Sequence, residues 1–167
     1  MRTGGSKAKG NSFEWKIAKA LGETLYKDKD TFIRTPSSGA LNTIRKMRGT
    51  MMEQNVKMSG DIMQIAHFAT WVFPYSVECK HHKDFNILDL LWKKEKSVAY
   101  KAWEQCCRDA DSSKQKPALV YRSNNQPIYV VHYGDWSTSN MNNLITNMNV
   151  SVLLFSDWLE YEGQYLC

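Results

Sequence analysis

No stretch of this sequence stays apolar for anything near the about eighteen residues that cross a bilayer, so no membrane span is expected. The first residues are basic and glycine-rich with no apolar block behind them, which argues against a secretory leader. Cysteine is scarce: the four fall at 79, 106, 107 and 167, without a C-x-x-C pair or a Cys/His zinc spacing. Adjacent Cys106 and Cys107, on a predicted helix, project to different faces and cannot readily bridge. A disulfide framework is therefore not expected, and a reducing, intracellular compartment is. There is no internal repeat, no G-x-x-x-x-G-K phosphate cradle and no G-x-S-x-G nucleophile turn, so P-loop and hydrolase-elbow chemistry find no support. Lysine and arginine are also absent after Arg122.

What is present fits one soluble globular domain. The chain has 167 residues, 43% apolar and 23% charged, enough for one real core but not two. The net charge of +5 is unevenly spread. Residues 1–58 hold 12 Lys/Arg against 5 Asp/Glu, whereas residues 59–167 hold 10 against 12. A basic N-terminal third followed by an acidic region suits a polyanion gripped by one part and processed by the other; a basic solvated face that aids solubility is the plainer reading.

The stretch 59–80 carries the chemistry. Ser59-Gly60-Asp61 opens an apolar strand from Ile62 to Ala66, and after Trp71-Val72-Phe73-Pro74 comes Tyr75-Ser76-Val77-Glu78-Cys79-Lys80. A strand has a side-chain period of two, so Glu78 and Lys80 share a face, opposite Tyr75, Val77 and Cys79. A hairpin-like return of the preceding strand would bring Asp61 beside Glu78. Two acids and a lysine at strand ends suit a divalent-metal site for phosphodiester hydrolysis, because carboxylates hold hard cations and an ammonium faces the attacking water or the developing charge. Alternatively, Glu78 and Lys80 form an ion pair on a solvated strand face and Asp61 is a turn residue.

Phe13, Ile17, Leu21 and Leu25 recur every four residues and predict a helix from about Ser12 to Tyr26. Asn11 is placed to cap it, with Glu14 at the capping-box position. Residues 1–10 then read as a flexible basic arm with Lys7 and Lys9, and residues 11–167 as a single domain. Thr31 to Thr35 alternates as a short strand, and Pro36-Ser37-Ser38-Gly39 is a turn by composition. Residues 41–58 carry Arg45, Lys46, Arg48 and Lys57 among four methionines. They read as a mobile basic insertion able to lie on nucleic acid, or as a small helix whose methionines fill the core. His81 and His82 face opposite sides of a strand and cannot chelate together; with Lys83 they are expected at phosphates or in solvent. Ser97 to Ala110 reads as a helix with Gln105 off its apolar stripe. Runs 117–122 and 128–132 form a hairpin. A polar helix around 139–148, a strand at 150–155 and an aromatic segment with Trp158, Tyr161 and Tyr165 complete the chain. Those aromatics can stack bases, pack in the core or, with Phe155, meet a second subunit.

The Lys9-Gly10-Asn11-Ser12-Phe13-Glu14 start, the Pro36-Ser37-Ser38-Gly39 loop, Gly60-Asp61-Ile62, Val77-Glu78-Cys79-Lys80 and a following helix with Gln105 together resemble the PD-(D/E)-x-K nuclease superfamily. Within it they are most similar to the archaeal and phage type of Holliday junction resolvase, over roughly Lys7 to Val131. Gly60 stands where that family often has proline, and about twenty residues separate the serine loop from Asp61, a longer gap than the family's. The resemblance implies an α/β, restriction-endonuclease-like fold with a mixed central β-sheet flanked by helices. It implies a structure-selective DNA endonuclease that uses Mg²⁺, with Mn²⁺ as substitute. Asp61, Glu78 and Glu14, with the Cys79 carbonyl, would hold the metal. Water oriented by Lys80 would attack phosphorus and displace the 3′ oxygen, leaving a 5′ phosphate. Lys7, Lys9, Arg34, Ser37, Ser38, Arg45, Lys46, Arg48, His81 and Lys83 would contact DNA, and Gln105 would stand behind the site. The partners implied are a four-way DNA junction and a second copy of the chain, with no membrane and no small-molecule cofactor, in a prokaryotic or phage-infected cytoplasm. Another nuclease of the superfamily acting on ends or duplex, and a non-catalytic basic DNA-binding module, are the alternatives.

Overall fold

A computed structural model describes residues 5–35, 59–65, 73–133 and 150–166. Helix α1 (Gly5–Tyr26) leads to two short strands, β1 (Phe32–Arg34) and β2 (Ile62–Gln64), and then to β3 (Tyr75–His81). A one-turn helix α2 (Leu88–Leu91) and the long α3 (Val98–Ser113) precede β4 (Lys116–Arg122), β5 (Tyr129–Tyr133) and β6 (Val150–Leu154); α4 (Phe155–Leu166) follows β6 directly.

The main sheet has the order β3-β4-β5-β6. β3 and β4 run parallel, which requires the crossover that α2 and α3 supply, while β4–β5 and β5–β6 are antiparallel. This is the mixed central sheet flanked by helices that a restriction-endonuclease-like fold calls for. Side chains alternate across it. Tyr75, Val77, Cys79, Ala118, Val120, Val130 and Leu153 pack on one face against α1 and α4, in a core with Ile17, Leu21 and Trp158. Leu119, Tyr121, Val131, Val150 and Val152 pack on the other against α3, through Ala102, Trp103 and Cys106. β3 is therefore buried on both sides, and its polar residues Ser76 and Glu78 are buried with it.

Helix α1 keeps the expected four-residue stripe inward, but it begins at Gly5, not near Ser12. Asn11 and Glu14 thus lie inside the helix, the capping-box reading of Glu14 falls, and the arm expected over residues 1–10 is helical from Gly5 onward. At the other end Lys27 turns the chain at φ 57, and the Asp28 amide bonds back to the Gly22 carbonyl at 3.2 Å. Gly22 is needed there, since a Cβ would lie 2.4 Å from the Asp28 carbonyl oxygen. Helix α3 starts as expected, with the Ser97 side chain accepting from the Tyr100 amide, and ends at left-handed Lys114. The β4–β5 hairpin also matches the sequence reading.

Two expectations are corrected. β2 does not return along β3 as a hairpin; it pairs antiparallel with β1, and the residues just before it join β3, Gly60 through a parallel bridge to Val77. Phe155 and Trp158, expected among the residues meeting a second subunit, are 5% and 0% exposed in the core between α1, α4 and the sheet. The serine turn with Ser37 and Ser38, the insertion with Arg45, Lys46 and Arg48, and the helix around 139–148 lie outside the described residues. No helix among the described residues is long and apolar enough to cross a membrane.

Candidate active site

Gly60 creates the junction on which the acids depend. Its φ is +72°, and a Cβ there would lie 2.3 Å from the Val77 carbonyl oxygen, so only glycine allows so close an approach to β3. The next residue is then fixed twice. The Asp61 amide donates to the Val77 carbonyl at 2.7 Å, and its Oδ2 accepts from the Cys79 amide at 2.8 Å. Asp61 is thus attached to the β3 main chain by both its amide and its carboxylate, one residue from Glu78 along the strand.

Within a strand the amide and carbonyl of one residue point to the same side, and every second residue repeats that direction. The Val77 carbonyl and the Cys79 amide both point toward Asp61, so the Cys79 carbonyl does too. Its thiol is buried in the α1-side core, where burial pushes its pKa well up, so only the main-chain oxygen of Cys79 belongs to the site.

Glu78 projects to the α3 side, only 2% exposed. Lys80 Nζ lies 2.5 Å from Glu78 Oε1. The ion pair read from the sequence exists, but not on a solvated face. Burial, then the nearby Asp61 charge, pushes the Glu78 carboxyl up to about 7 despite Lys80. Asp61 is raised as well, first by burial and then by Glu14, against the Cys79 amide bond and the charges of Lys80 and Arg34. Burial works to lower Lys80, but its bond to Glu78 and the charges of Glu78 and Asp61 leave it raised, as a firm ammonium.

Glu14 acts on Asp61 and Cys79 from α1. Its Oε2 is paired with Arg34 Nε, and Arg34 Nη2 also donates to Asn11 Oδ1 at 3.0 Å. Arg34, expected at a DNA phosphate, here ties β1 to the helix that carries Glu14. His81 packs its ring on Phe13 at 5.5 Å, Lys9 and Lys83 are exposed, and Lys7 lies in the first turn of α1. The Gln105 side chain forms no hydrogen bond among the described residues. Its place near Glu78 is taken by Asp109, one helical turn further along α3, whose charge also raises the Glu78 carboxyl. Beneath them, Ser59 Oγ lies 2.7 Å from Ser76 Oγ and donates to the Asp109 carbonyl at 2.7 Å, joining the approach to Asp61 to α3. Asp109 and Ser59 were missed in the sequence because both read as ordinary polar residues; the buried face of α3 beside Cys106 was the available signal.

Three acids (Asp61, Glu78, Glu14) thus face two cations (Lys80, Arg34), and two of the acids are raised by burial. A divalent cation fits this excess of negative charge. Among the described residues no three His, Cys, Asp or Glu side chains gather closely enough to cage an ion. An ion held here would take the Asp61 and Glu78 carboxylates, the Cys79 carbonyl and water, the few-carboxylate ligand set usual for Mg²⁺.

A family described as phage putative PDDEXK endonucleases matches this chain over residues 5–164. Protein D14 of Escherichia phage T5 is 26% identical over 166 residues, covering 93% of this chain and 92% of the relative. No solved structure matches the chain.

Proposed function

Because this chain belongs to the family of phage putative PDDEXK endonucleases, we propose that it is a metal-dependent, structure-selective DNA endonuclease that resolves four-way junctions. The family itself supports nuclease activity, and nucleases of this superfamily generally use divalent metals. The observation that carries the catalytic reading is the gathering of buried Glu78 with half-buried Asp61 and Lys80 along β3, Asp61 being fixed to the β3 main chain through both its amide and its carboxylate.

Asp61, Glu78 and the Cys79 carbonyl would hold the metal, with Glu14 within electrostatic reach. A bound Mg²⁺ would supply Lewis-acid polarisation and a stronger nucleophile at neutral pH. The chain's own part is placement. The sheet holds the acids still, so little reorganisation accompanies reaction. Lys80, an ammonium, orients the attacking water and faces charge developing on the phosphoryl oxygens as the P–O3′ bond breaks. Exposed Lys9 and Lys83 would take DNA phosphates, with His81 beside them.

The test is purified protein with Mg²⁺ on a four-way junction, a linear duplex and a single strand of matched sequence. Paired nicks in the junction, with little cutting of the others, are expected. Equal cutting of junction and duplex would leave a nuclease without junction preference, and no cutting of any DNA would leave a binding module.

A further inference from the structure

Beside Tyr121, one strand over from Lys80, lies a cavity of about 480 Å³, within the usual size range of small-ligand sites. We propose that it takes an unpaired nucleobase of the DNA substrate, near the phosphate to be cut; this rests on the nuclease reading and names the feature of the substrate that the site would recognise.

Register places the cavity. In the parallel β3–β4 pair, Glu78 stands opposite Leu119 and Lys80 opposite Tyr121. Residues in register share a face, and Leu119 and Tyr121 belong to the α3-side core. Tyr121 also lines the cavity, so the cavity opens one strand over from Lys80, at the same end of the sheet.

Its wall is a ladder of rings. Phe85 stacks on Tyr121 with centroids 4.3 Å apart and planes 20° from parallel, and Tyr121 stacks on Tyr129 at 5.4 Å and 20°. An end of such a ladder offers a flat π-surface to another planar group. Neither the Tyr121 hydroxyl nor that of Tyr129 has a hydrogen-bond partner among the described residues. Both hydroxyls are open to solvent rather than buried, so two polar groups beside the cavity are free to bond a ligand.

Charge then selects the ligand. Asp157 lines the cavity and, among the described residues, no lysine or arginine does, so a phosphate is disfavoured there, while a neutral ring bearing amino donors is favoured. The cations stand next door. Lys16 and Arg122 line a neighbouring cavity of about 490 Å³ that shares Gln126 and Leu154 with the first. A strand can therefore place a base among the tyrosines while its backbone passes the two cations. A fully paired duplex has no base to offer, whereas a branch point or single strand does.

The experiment uses the full-length chain in Ca²⁺ without Mg²⁺, with the fluorescent base 2-aminopurine placed unpaired or paired beside the cut site. Stacking should quench the unpaired probe on binding and leave the paired one unchanged. Tyr129→Ala should abolish the quench and weaken binding of DNA with an unpaired base by about tenfold, with fully paired duplex unaffected. Tyr121→Phe keeps the ring ladder and should reduce discrimination between bases while the quench persists. An abasic nucleotide at the probe position should cost the unaltered chain the same factor of about ten. An abasic strand bound as tightly as an intact one, or no quench at all, would overturn the proposal. Cleavage of DNA in Mg²⁺ without a quench removes the base site alone; a quench without any cleavage in Mg²⁺ removes the nuclease reading alone.

Discussion

At the scale of single residues, the position of Asp61 matters more than its identity as an acid. Its carboxylate is held by the Cys79 amide, so Asp61→Asn keeps the shape and removes the charge. Asp61→Asn and Glu78→Gln should each slow cleavage by at least about a hundredfold with DNA affinity nearly unchanged, read as kcat against Kd on one junction. Similar losses in both quantities would point to a DNA contact instead. The acids also give the metal-free chain a pH dependence. A carboxyl raised from 4.5 to about 7 stabilises the fold while protonated, and that stabilisation is lost as pH rises through about 7. For Glu78 the shift amounts to roughly 3 kcal/mol, and Asp61 works in the same direction. Mg²⁺ should therefore raise Tm more at about pH 8 than at about pH 5. In Glu78→Gln the pH 8 gain should shrink. Equal shifts at both pH values would place the ion elsewhere. Glu78 and Lys80 were legible in the sequence, because a period of two needs no tertiary knowledge. That Glu78 would be buried was not, because its burial depends on β4 and α3, which arrive dozens of residues later.

At the scale of elements, the Gly60 junction does what a hairpin was expected to do. The contact between residue 60 and residue 77 is long-range and parallel, and no local pattern announces it. Reading a hairpin placed Asp61 correctly for the wrong reason. Gly60→Ala should cost roughly 1–3 kcal/mol from left-handed strain, with a further loss from the clash with the Val77 carbonyl. Cleavage should fall further than the lost stability explains, because Asp61 must shift; urea unfolding and single-turnover rates compared on one preparation would show it. Variant and wild type cleaving at the same rate would mean that the junction does not position the acid. The start of α1 was misread for a related reason. Asn11 and Glu14 match a capping pattern, and three early glycines suggest flexibility, yet the helix runs through both because its stripe packs on the sheet and Arg34 holds Asn11 and Glu14 together. Packing overrode propensity there, as it often does.

At the scale of the molecule, the described residues of each chain carry a single candidate site, and a four-way junction has two strands of like polarity to cut. Symmetric resolution therefore calls for two copies about a two-fold axis. A dimer by light scattering at micromolar concentration is expected, with nicks placed symmetrically across the junction. A monomer that makes single nicks would remove the resolvase reading and keep the nuclease one. The late aromatics misled on this point. Phe155 and Trp158 were taken as surplus to a small core, but α4 runs on from β6 and turns both inward over Tyr75 and Val77. The three-layer architecture itself was legible from the order of helix, strand and hairpin signals.

β3 is the last strand on its side of the main sheet, and beyond the contacts at Val77 and Cys79 its rim has no strand partner among the described residues. Such a rim invites another chain to add itself as the next strand, the first step toward aggregation. Here the place that such a strand would occupy is already taken by the Asp61 carboxylate, which an intruding backbone would have to strip of solvent or displace from the Cys79 amide. The same placement that gathers negative charge for hydrolysis thus also keeps the sheet from growing outward, and a chain that lost its acids would lose its protection against self-association along with its chemistry.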